Sequence, residues 1–258
     1  MILAADIGNS NISIGIYHSD GRSELSFTVA CDLHKSADEY AIVFKSFLDL
    51  SGFSLSGISG SVIGSVVPDL TDTVSRALFR LTGIEPLIVG PGIKTSLDIK
   101  TDRPGEVGAD IVANAVAALK EFTPPFVIFD FGTATTVLSV NENRQLTDVF
   151  ILPGVRSSFN ALIRDTATIA SIPFAAPKAL SGKNTASSVN AGIIYANAFA
   201  VDGFLHQIKK TGKYALLQAI ATGGAAETVL PFCKHDISFR PHLTVDGLYH
   251  IYQKNCTN

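Results

Sequence analysis

A short pattern occurs twice in this chain, and it constrains the fold more than any other feature. Residues 2–5 form an apolar run before Asp6-Ile7-Gly8, and residues 127–129 form one before Asp130-Phe131-Gly132. An apolar run bounded by glycine is typical of a buried strand, so each aspartate is predicted where a strand enters a tight turn. Glycine lets the backbone approach a ligand, and exposed N–H and hydroxyl groups bind phosphate. The pattern predicts two loops that hold a nucleotide's phosphates from both sides of a cleft.

The alternative is structural, because a single Asp-x-Gly usually marks only a turn. A polar hairpin needs fewer hydroxyls and amides than the stretch from Asp6 to Ser13 displays. The second copy in the same context favours phosphate binding over two unrelated turns.

Length and composition favour a compact α/β protein. The chain has 258 residues, 47% hydrophobic and 17% charged, and strands alternate with helices around each repeated loop. We expect two related halves, residues 1–118 and 119–258, with the boundary shortly before Pro124-Pro125. The repeat favours this division over one large domain. In the first half the sequence predicts a helix capped by Ser36, a strand at residues 61–67, and a helix that opens at Asp69 and stops at Gly83.

Charge, cysteines and hydropathy argue against several classes of protein. The net charge of −3 gives no basic surface for nucleic acid or a membrane. The three cysteines lack metal-ligand spacing. Because neither a leader peptide nor a membrane-spanning stretch is evident, the sequence predicts a soluble cytoplasmic protein.

Three further clusters carry candidate chemistry. Gly108-Ala109-Asp110 begins a predicted helix, where an aspartate is more often only an N-cap. The segment 181–185 also opens a helix, and a lone lysine such as Lys183 is more often solvated than functional. The segment 221–224 ends a strand with two glycines, a weak signal that a base or ribose approaches the backbone.

Together and in order, the motifs resemble those of type III pantothenate kinase. The resemblance is carried by Asp6-Ile7-Gly8-Asn9-Ser10, Ser65-Val66-Val67-Pro68, Val107-Gly108-Ala109-Asp110, Asn114-Ala115-Val116, Asp130-x-Gly132-Thr133-Ala134-x-Thr136, Pro153-Gly154, Gly182-Lys183-Asn184-Thr185, Ala221-Thr222-Gly223-Gly224 and Asp246-Gly247-Leu248. It implies the actin/hexokinase-like ATPase superfold, with two related actin/ribonuclease H-like halves around a nucleotide cleft. It also implies an ATP-dependent kinase that phosphorylates the hydroxyl of pantothenate, the first step of coenzyme A biosynthesis.

The resemblance assigns a role to each candidate site residue. Asp110 would be the catalytic base, Asp6 would hold Mg²⁺ through water, and Asp130 would coordinate a monovalent cation, K⁺ or NH₄⁺. The residues implied to bind ATP are Asp6, Ile7, Gly8, Asn9, Ser10, Asn11, Ile12, Ser13 and Thr133. Those implied to bind the acceptor are Thr101, Gly108, Ala109, Asp110, Ile111 and Thr185. Thr185 would act from the partner subunit of a homodimer.

The helix position of Asp110 adds an electrostatic expectation. A carboxylate at a helix N-terminus is stabilised in its anionic form. We therefore expect Asp110 to stay ionised and ready to accept a proton at neutral pH.

Three positions depart from the family pattern, all on the acceptor side. Ile111 replaces the arginine of Gly-x-Asp-Arg, Thr101 replaces a tyrosine, and Asp148-Val149 replaces a Gly-Gly pair ahead of Pro153-Gly154. We expect weaker pantothenate binding from the first two, and negative charge near phosphate from Asp148.

These departures leave two alternatives open. The chain is either a working kinase for pantothenate or a related hydroxyl compound, or a paralogue that binds nucleotide and acts as a non-catalytic accessory or regulatory protein. The retained Asp6, Asp110, Asp130 and Thr133 favour the kinase.

Overall fold

The computed structural model describes residues 1–166, 172–212, 214 and 216–256. In chain order, the elements of this described part begin with β1 (Ile2–Ile7), β2 (Asn11–Tyr17), β3 (Ser23–Ala30), α1 (Ala37–Leu50), β4 (Gly60–Ser65), α2 (Pro68–Thr82), β5 (Leu87–Ile88), β6 (Asp98–Ile99) and α3 (Ala109–Glu121). They continue with β7 (Phe126–Phe131), β8 (Ala134–Val140), β9 (Gln145–Pro153), α4 (Val155–Arg164), α5 (Thr185–Gly212), β10 (Gln218–Thr222), α6 (Ala226–Val229), β11 (Ser238–Phe239) and α7 (Leu243–Cys256).

The chain divides into two compact units. Unit 1 contains Met1–Leu97, Asp102–Glu121 and His242–Asn258, and unit 2 contains Asp98–Thr101 and Phe122–Pro241. The predicted division into residues 1–118 and 119–258 treated the chain as two continuous pieces. The units differ from it because α7 returns at the end of the chain to pack against α3, β1 and β4.

The sheets of the two units share one topology. In unit 1 the strand order is β3-β2-β1-β4-β5, and in unit 2 the corresponding strands run β9-β8-β7-β10-β11, with β6 added beside β9. In each unit the first three strands of the set form an antiparallel meander, and the later two join in parallel. The predicted α/β class with two related halves is confirmed.

The central strands β1 and β7 explain why the two aspartates stand out. Each has five buried residues and one half-exposed residue, the fifth, which is Asp6 in β1 and Asp130 in β7. A central strand flanked on both sides favours a continuous apolar sequence over an alternating one. The aspartate is tolerated because it lies where the strand leaves the sheet.

The helix boundaries follow the predicted capping signals. Ser36 accepts a hydrogen bond from the backbone N–H of Glu39, whose carboxylate accepts one from the N–H of Ser36, so α1 begins with a capping box. Pro68 occupies the first turn of α2, and Gly83 ends that helix in a left-handed conformation with φ of 70°. The predicted helix start at Ser36 and stop at Gly83 are confirmed.

Specific contacts hold helix α7 to the rest of unit 1. A Cβ on Gly247 would overlap the backbone of Ala113, so the glycine allows α7 and α3 to approach closely. The Tyr17 hydroxyl donates a 2.6 Å hydrogen bond to Asp246 Oδ1, and Thr244 donates a 2.8 Å bond to Asn114. The Asp246-Gly247-Leu248 motif therefore has a packing role in this unit.

Two features differ from the sequence-based expectations. The strand predicted at residues 61–67 ends at Ser65, because Val67 already occupies the N-cap position of α2. Strand β9 was not predicted, since its buried and exposed positions do not alternate regularly and Asp148 interrupts the apolar run. No helix in the described part of the chain is long and apolar enough to cross a membrane.

Candidate active site

The first predicted phosphate loop is a tight hairpin between β1 and β2. Asp6 pairs with Ser13 across the two strands, and the Gly8 N–H donates a 2.9 Å hydrogen bond to the Asn11 carbonyl. A Cβ on Gly8 would lie 3.1 Å from that oxygen, so the turn favours glycine. The hairpin thus brings the half-exposed Asp6 and the polar loop to one end of the sheet.

The eight residues predicted to bind ATP in this hairpin are not equally available. Asn9, Ser10 and Asn11 are exposed, whereas Ile7 and Ile12 are fully buried in the core of unit 1. Any contact that the two isoleucines make with a ligand is therefore through the backbone. The polar residues between them are the most exposed part of the hairpin.

The predicted acceptor segment lies at the start of α3. Asp110 is in the first turn, and the Ile111 N–H donates a 2.8 Å hydrogen bond to Asp110 Oδ1. A Cβ on Gly108 would overlap that same carboxylate oxygen and lie 3.5 Å from Val66. Gly108 therefore leaves the space in which the carboxylate folds back over the backbone.

The pKa of Asp110 is shifted in the direction opposite to the expectation. Burial raises the pKa of the Asp110 carboxyl above its ordinary value, and the backbone N–H groups of Ile111 and Asp110 offset this only in part. The expected stabilisation of the anion by the helix N-terminus was thus outweighed, because desolvation penalises the charged form more strongly. A raised pKa makes this aspartate a stronger base when it is ionised.

Two departures from the family pattern lie on either side of Asp110 in sequence. Ile111 is only 6% exposed, so its side chain belongs to the packing of α3. Thr101 lies in the short segment of unit 2 that follows β6, and its Oγ1 is buried without a hydrogen-bond partner among the described residues. The roles of both positions in acceptor binding stay predictions.

The second predicted loop joins β7 to β8 in unit 2. Asp130 pairs with Thr136, and the exposed Gly132 and Thr133 form the turn. The Ser157 hydroxyl, in the first turn of α4, donates a 2.7 Å hydrogen bond to the Thr133 carbonyl. A Cβ on Gly154 would overlap the same carbonyl, so the start of α4 packs directly on the turn.

A third segment meets this loop at the end of β10. Thr222 pairs with Asp130 in parallel register, and Gly223 follows with φ of 90°. A Cβ on Gly223 would lie 2.6 Å from Asp130 Oδ1 and equally close to the backbone of Phe131. The sequence suggested that these glycines let a base or ribose approach the backbone. For Gly223, the missing side chain instead makes room for the second loop itself.

Asp148, which was expected to add charge near phosphate, lies along β9 away from the second loop. Asp148 pairs with Ser139 in the middle of the β8–β9 ladder, whereas Pro153 pairs with Ala134 beside the turn. Five residues at about 3.3 Å each separate Asp148 from Pro153 along β9, or roughly 16 Å. The Asp148-Val149 departure therefore leaves the second loop unaltered.

The last cluster forms the start of α5. The Ser187 hydroxyl accepts hydrogen bonds from the N–H groups of Lys183 and Asn184, and the Asn184 side chain accepts one from the Ser187 N–H. Thr185 is the first residue of the helix and is exposed. The predicted helix start is confirmed, and Thr185 is available to a ligand or to another chain.

The sequence reasoning missed the roles of Ser157 and Gly154. Ser157 gave no signal, because one serine in a helix is unremarkable until its partner is known. Gly154 belonged to a motif, but the reason for a glycine there is the Thr133 carbonyl, 21 residues earlier in the chain, which a side chain would overlap.

Gly223 and Gly224 provide a matched pair for testing the second loop. We expect Gly223→Ala to destabilise the protein by about 1–3 kcal/mol, because alanine at φ of 90° is strained and its Cβ would displace Asp130 and Phe131. Gly224→Ala has no atom within 4 Å of the new Cβ and serves as the control. Thermal unfolding measures the loss of stability, and binding of a fluorescent ATP analogue reports on the loop. If the two variants had the same unfolding temperature and the same affinity for the analogue, this account of the loop would be contradicted.

Comparisons with known proteins agree with this arrangement. The family model described as type III pantothenate kinase matches residues 2–207. The type III pantothenate kinase of Bacillus cytotoxicus is 37% identical over 255 residues, which is 99% of this chain and 97% of the relative. That of Geobacillus kaustophilus is 39% identical over 255 residues, covering 99% and 98%.

A solved structure supports the fold independently. A putative 2-dehydro-3-deoxygalactonokinase protein from Sinorhizobium meliloti aligns over 100% of this chain and 98% of its own, with a TM-score of 0.61 and 14% identity. At that identity the likeness shows the fold alone. The family match and the two curated relatives, in contrast, extend over most of the chain, and they show that this chain belongs to the type III pantothenate kinase family.

Proposed function

We propose that this protein transfers the terminal phosphoryl group of ATP to the hydroxyl of pantothenate, the first step of coenzyme A biosynthesis. The observation that carries the proposal is Asp110, a half-buried carboxylate with a raised pKa, held over Gly108 at the start of α3. The family of the chain supplies the reaction, and this residue supplies a base suited to it.

The two loops are suited to an anionic nucleotide. In the first, the exposed Asn9, Ser10 and Asn11 offer amide and hydroxyl donors beside Asp6, and in the second Thr133 is exposed. Phosphoryl transfer passes through a loose transition state, so positioning and charge stabilisation account for most of the catalysis. We propose that residues 6–13 bind the phosphates and that Thr133 contacts the nucleotide.

Asp110 is proposed to take the proton from the pantothenate hydroxyl as the new O–P bond forms and the bond to the leaving ADP breaks. The hydrogen bond from the Ile111 N–H to Oδ1 orients the carboxylate, and the second oxygen, Oδ2, is the one proposed to accept the proton. Because the base must be ionised, activity should fall as the pH drops through the raised pKa of Asp110.

The two loop aspartates fit the cations that the family implies. Mg²⁺ is commonly held by one or two carboxylates together with water and substrate phosphates, so the single half-exposed Asp6 suffices. Asp130 is half-exposed at the end of β7, beside the exposed turn residues Gly132 and Thr133, and its carboxylate is the kind of hard oxygen ligand that such a cation takes. We propose that Asp6 holds Mg²⁺ through water and that Asp130 holds K⁺ or NH₄⁺. Such cations would neutralise charge on the phosphates.

One observation favours considering a second acceptor. Position 111 presents a buried isoleucine where the family pattern has arginine. A related hydroxyl compound with less need for that contact is the alternative substrate, and a non-catalytic paralogue is the alternative without turnover.

Coupled ATP consumption by the purified protein, with Mg²⁺ and K⁺ and with pantothenate up to millimolar concentrations, tests the proposal. Saturable turnover that depends on pantothenate is the expected result. ATP binding without such turnover would favour another acceptor or a non-catalytic protein, and a screen of small hydroxyl compounds separates the two.

Asp110→Asn should lower kcat by at least about 100-fold, the usual contribution of a positioned base. The raised pKa also has a consequence for stability. An ionised Asp110 destabilises the folded state at neutral pH, so the neutral asparagine should raise the unfolding temperature there. This difference should shrink once the pH falls below the raised pKa and vanish below the ordinary pKa of aspartate, where the carboxyl is protonated in both the folded and the unfolded state. Full activity in the variant would rule out Asp110 as the base.

Gly108 and Gly105 form a second matched pair. Gly108→Ala should displace the Asp110 carboxylate and lower kcat by roughly 10- to 100-fold, with little change in the KM for ATP. In Gly105→Ala the nearest atom to the new Cβ is Pro91 Cγ at 3.8 Å, an ordinary contact, and the variant should keep wild-type kcat. The same coupled assay gives both parameters; a kcat for Gly108→Ala that equals the control's would refute the packing argument.

We also propose that the protein acts as a homodimer. Strand β6 pairs only with Gln145 and Leu146 of β9, so the rest of this edge has no strand partner in the described part of the chain. Phe150 and Ile151 on β9 are 37% and 71% exposed. Exposed apolar edges are normally covered, and a second copy would cover this one.

Ile151→Asp should therefore shift the protein from dimer to monomer, because a charge at the centre of an apolar interface is not compensated. Leu50→Asp, at an 86% exposed position on α1, is the control and should leave the dimer intact. Sedimentation velocity distinguishes the two states. A wild-type protein that sediments as a monomer at all concentrations would exclude the dimer.

A further inference from the structure

The acceptor segment of unit 1 contains an arginine, Arg103, to which the proposed mechanism assigns no role. Between residues 101 and 119 the sequence has one lysine or arginine, Arg103. It occupies the N-cap position of the short 3₁₀ turn Pro104–Glu106, which leads through Val107 into Gly108 and α3. The chain thus places one cation immediately upstream of the residues that present the base.

The side chain of Arg103 is available to a ligand. It is 76% exposed, and its Nη1 donates a 2.9 Å hydrogen bond to Glu106 Oε1. A guanidinium has five N–H donors in a planar fork, so one contact with glutamate leaves donors for another carboxylate. The hydrogen bond to Glu106 thus leaves other N–H groups of Arg103 for a ligand.

Pantothenate has its carboxylate at the opposite end from the hydroxyl that Asp110 is proposed to activate. A cation that binds this carboxylate must therefore stand at some distance from the base. The five steps of chain from Arg103 to Gly108 include the 3₁₀ turn, which limits their Cα separation to roughly 13 Å. A long side chain at that distance suits a ligand that spans the segment.

We infer that Arg103 binds the carboxylate of the acceptor and so sets the preference for an anionic substrate, an inference that rests on the proposed function. Ile111 cannot serve this purpose, since its side chain is apolar and almost fully buried. Charge-assisted hydrogen bonds between arginine and carboxylate are short and directional, so the contact would also align the hydroxyl end.

The test compares pantothenate with panthenol, the analogue in which a neutral alcohol replaces the carboxylate. Arg103→Gln should raise the KM and the Kd for pantothenate about tenfold or more, the usual loss for a hydrogen bond to a charged group. The inhibition constant of panthenol, measured by competition, should stay within twofold of wild type, as should the KM for ATP. Arg103→Lys keeps the charge but loses the planar arrangement of donors, so its KM and Kd for pantothenate should lie between those of wild type and of Arg103→Gln.

Arg76→Gln is the matched control, because Arg76 is also exposed and paired with an acid on its own helix, Asp72, at 3.0 Å. It should leave all constants unchanged. If Arg103→Gln weakens pantothenate and panthenol equally, or neither, the inference is wrong while the kinase stands. A wild-type protein that neither binds nor phosphorylates pantothenate overturns the proposed function and this inference together.

Discussion

A strand buried on both faces has almost no place for a carboxylate, and both units depend on the place that remains. In β1 and β7 the four residues before the aspartate and the one after it are buried, and only Asp6 and Asp130 reach the surface. An ionised group earlier in either strand would lose its hydration without a partner. The topology therefore fixes each carboxylate at the end of the sheet, next to a turn whose backbone and side chains offer hydrogen-bond donors.

The geometry around these carboxylates depends on atoms that are missing. Gly108 makes room for Asp110, Gly154 for the Thr133 carbonyl, and Gly223 for Asp130. In each case an added Cβ would overlap the atoms opposite it: backbone at Gly154, backbone and the Asp130 carboxylate at Gly223, and at Gly108 the Asp110 carboxylate, which would have to move. Gly224, one residue beyond the third of them, meets nothing. A glycine matters here because of what lies opposite it, and its presence in a motif does not reveal that.

This explains which parts of the protein could be predicted from its sequence. The α/β class, the repeated loop and the helix limits at Ser36 and Gly83 all follow from local patterns, and the structure confirms them. Strand β9 lacked such a pattern, since its burial is set by pairing with β8 and by an open edge. The distance of Asp148 from the second loop likewise depends on strand register, and the charge of Asp110 depends on how much of the fold surrounds it.

Asp110 shows how two opposing effects are decided by magnitude. A helix N-terminus stabilises an exposed carboxylate by about 0.3–1 kcal/mol. Desolvation of a largely buried one can cost several times more, and the raised pKa reflects that balance. The residue at position 111 also affects the pKa of Asp110. A positively charged arginine at position 111 would lower the pKa of the adjacent carboxyl, whereas with Ile111 only backbone N–H groups oppose the effect of burial. In the proposed function, Ile111 thus leaves Asp110 the stronger base, and another cation, Arg103, binds the charge of the acceptor.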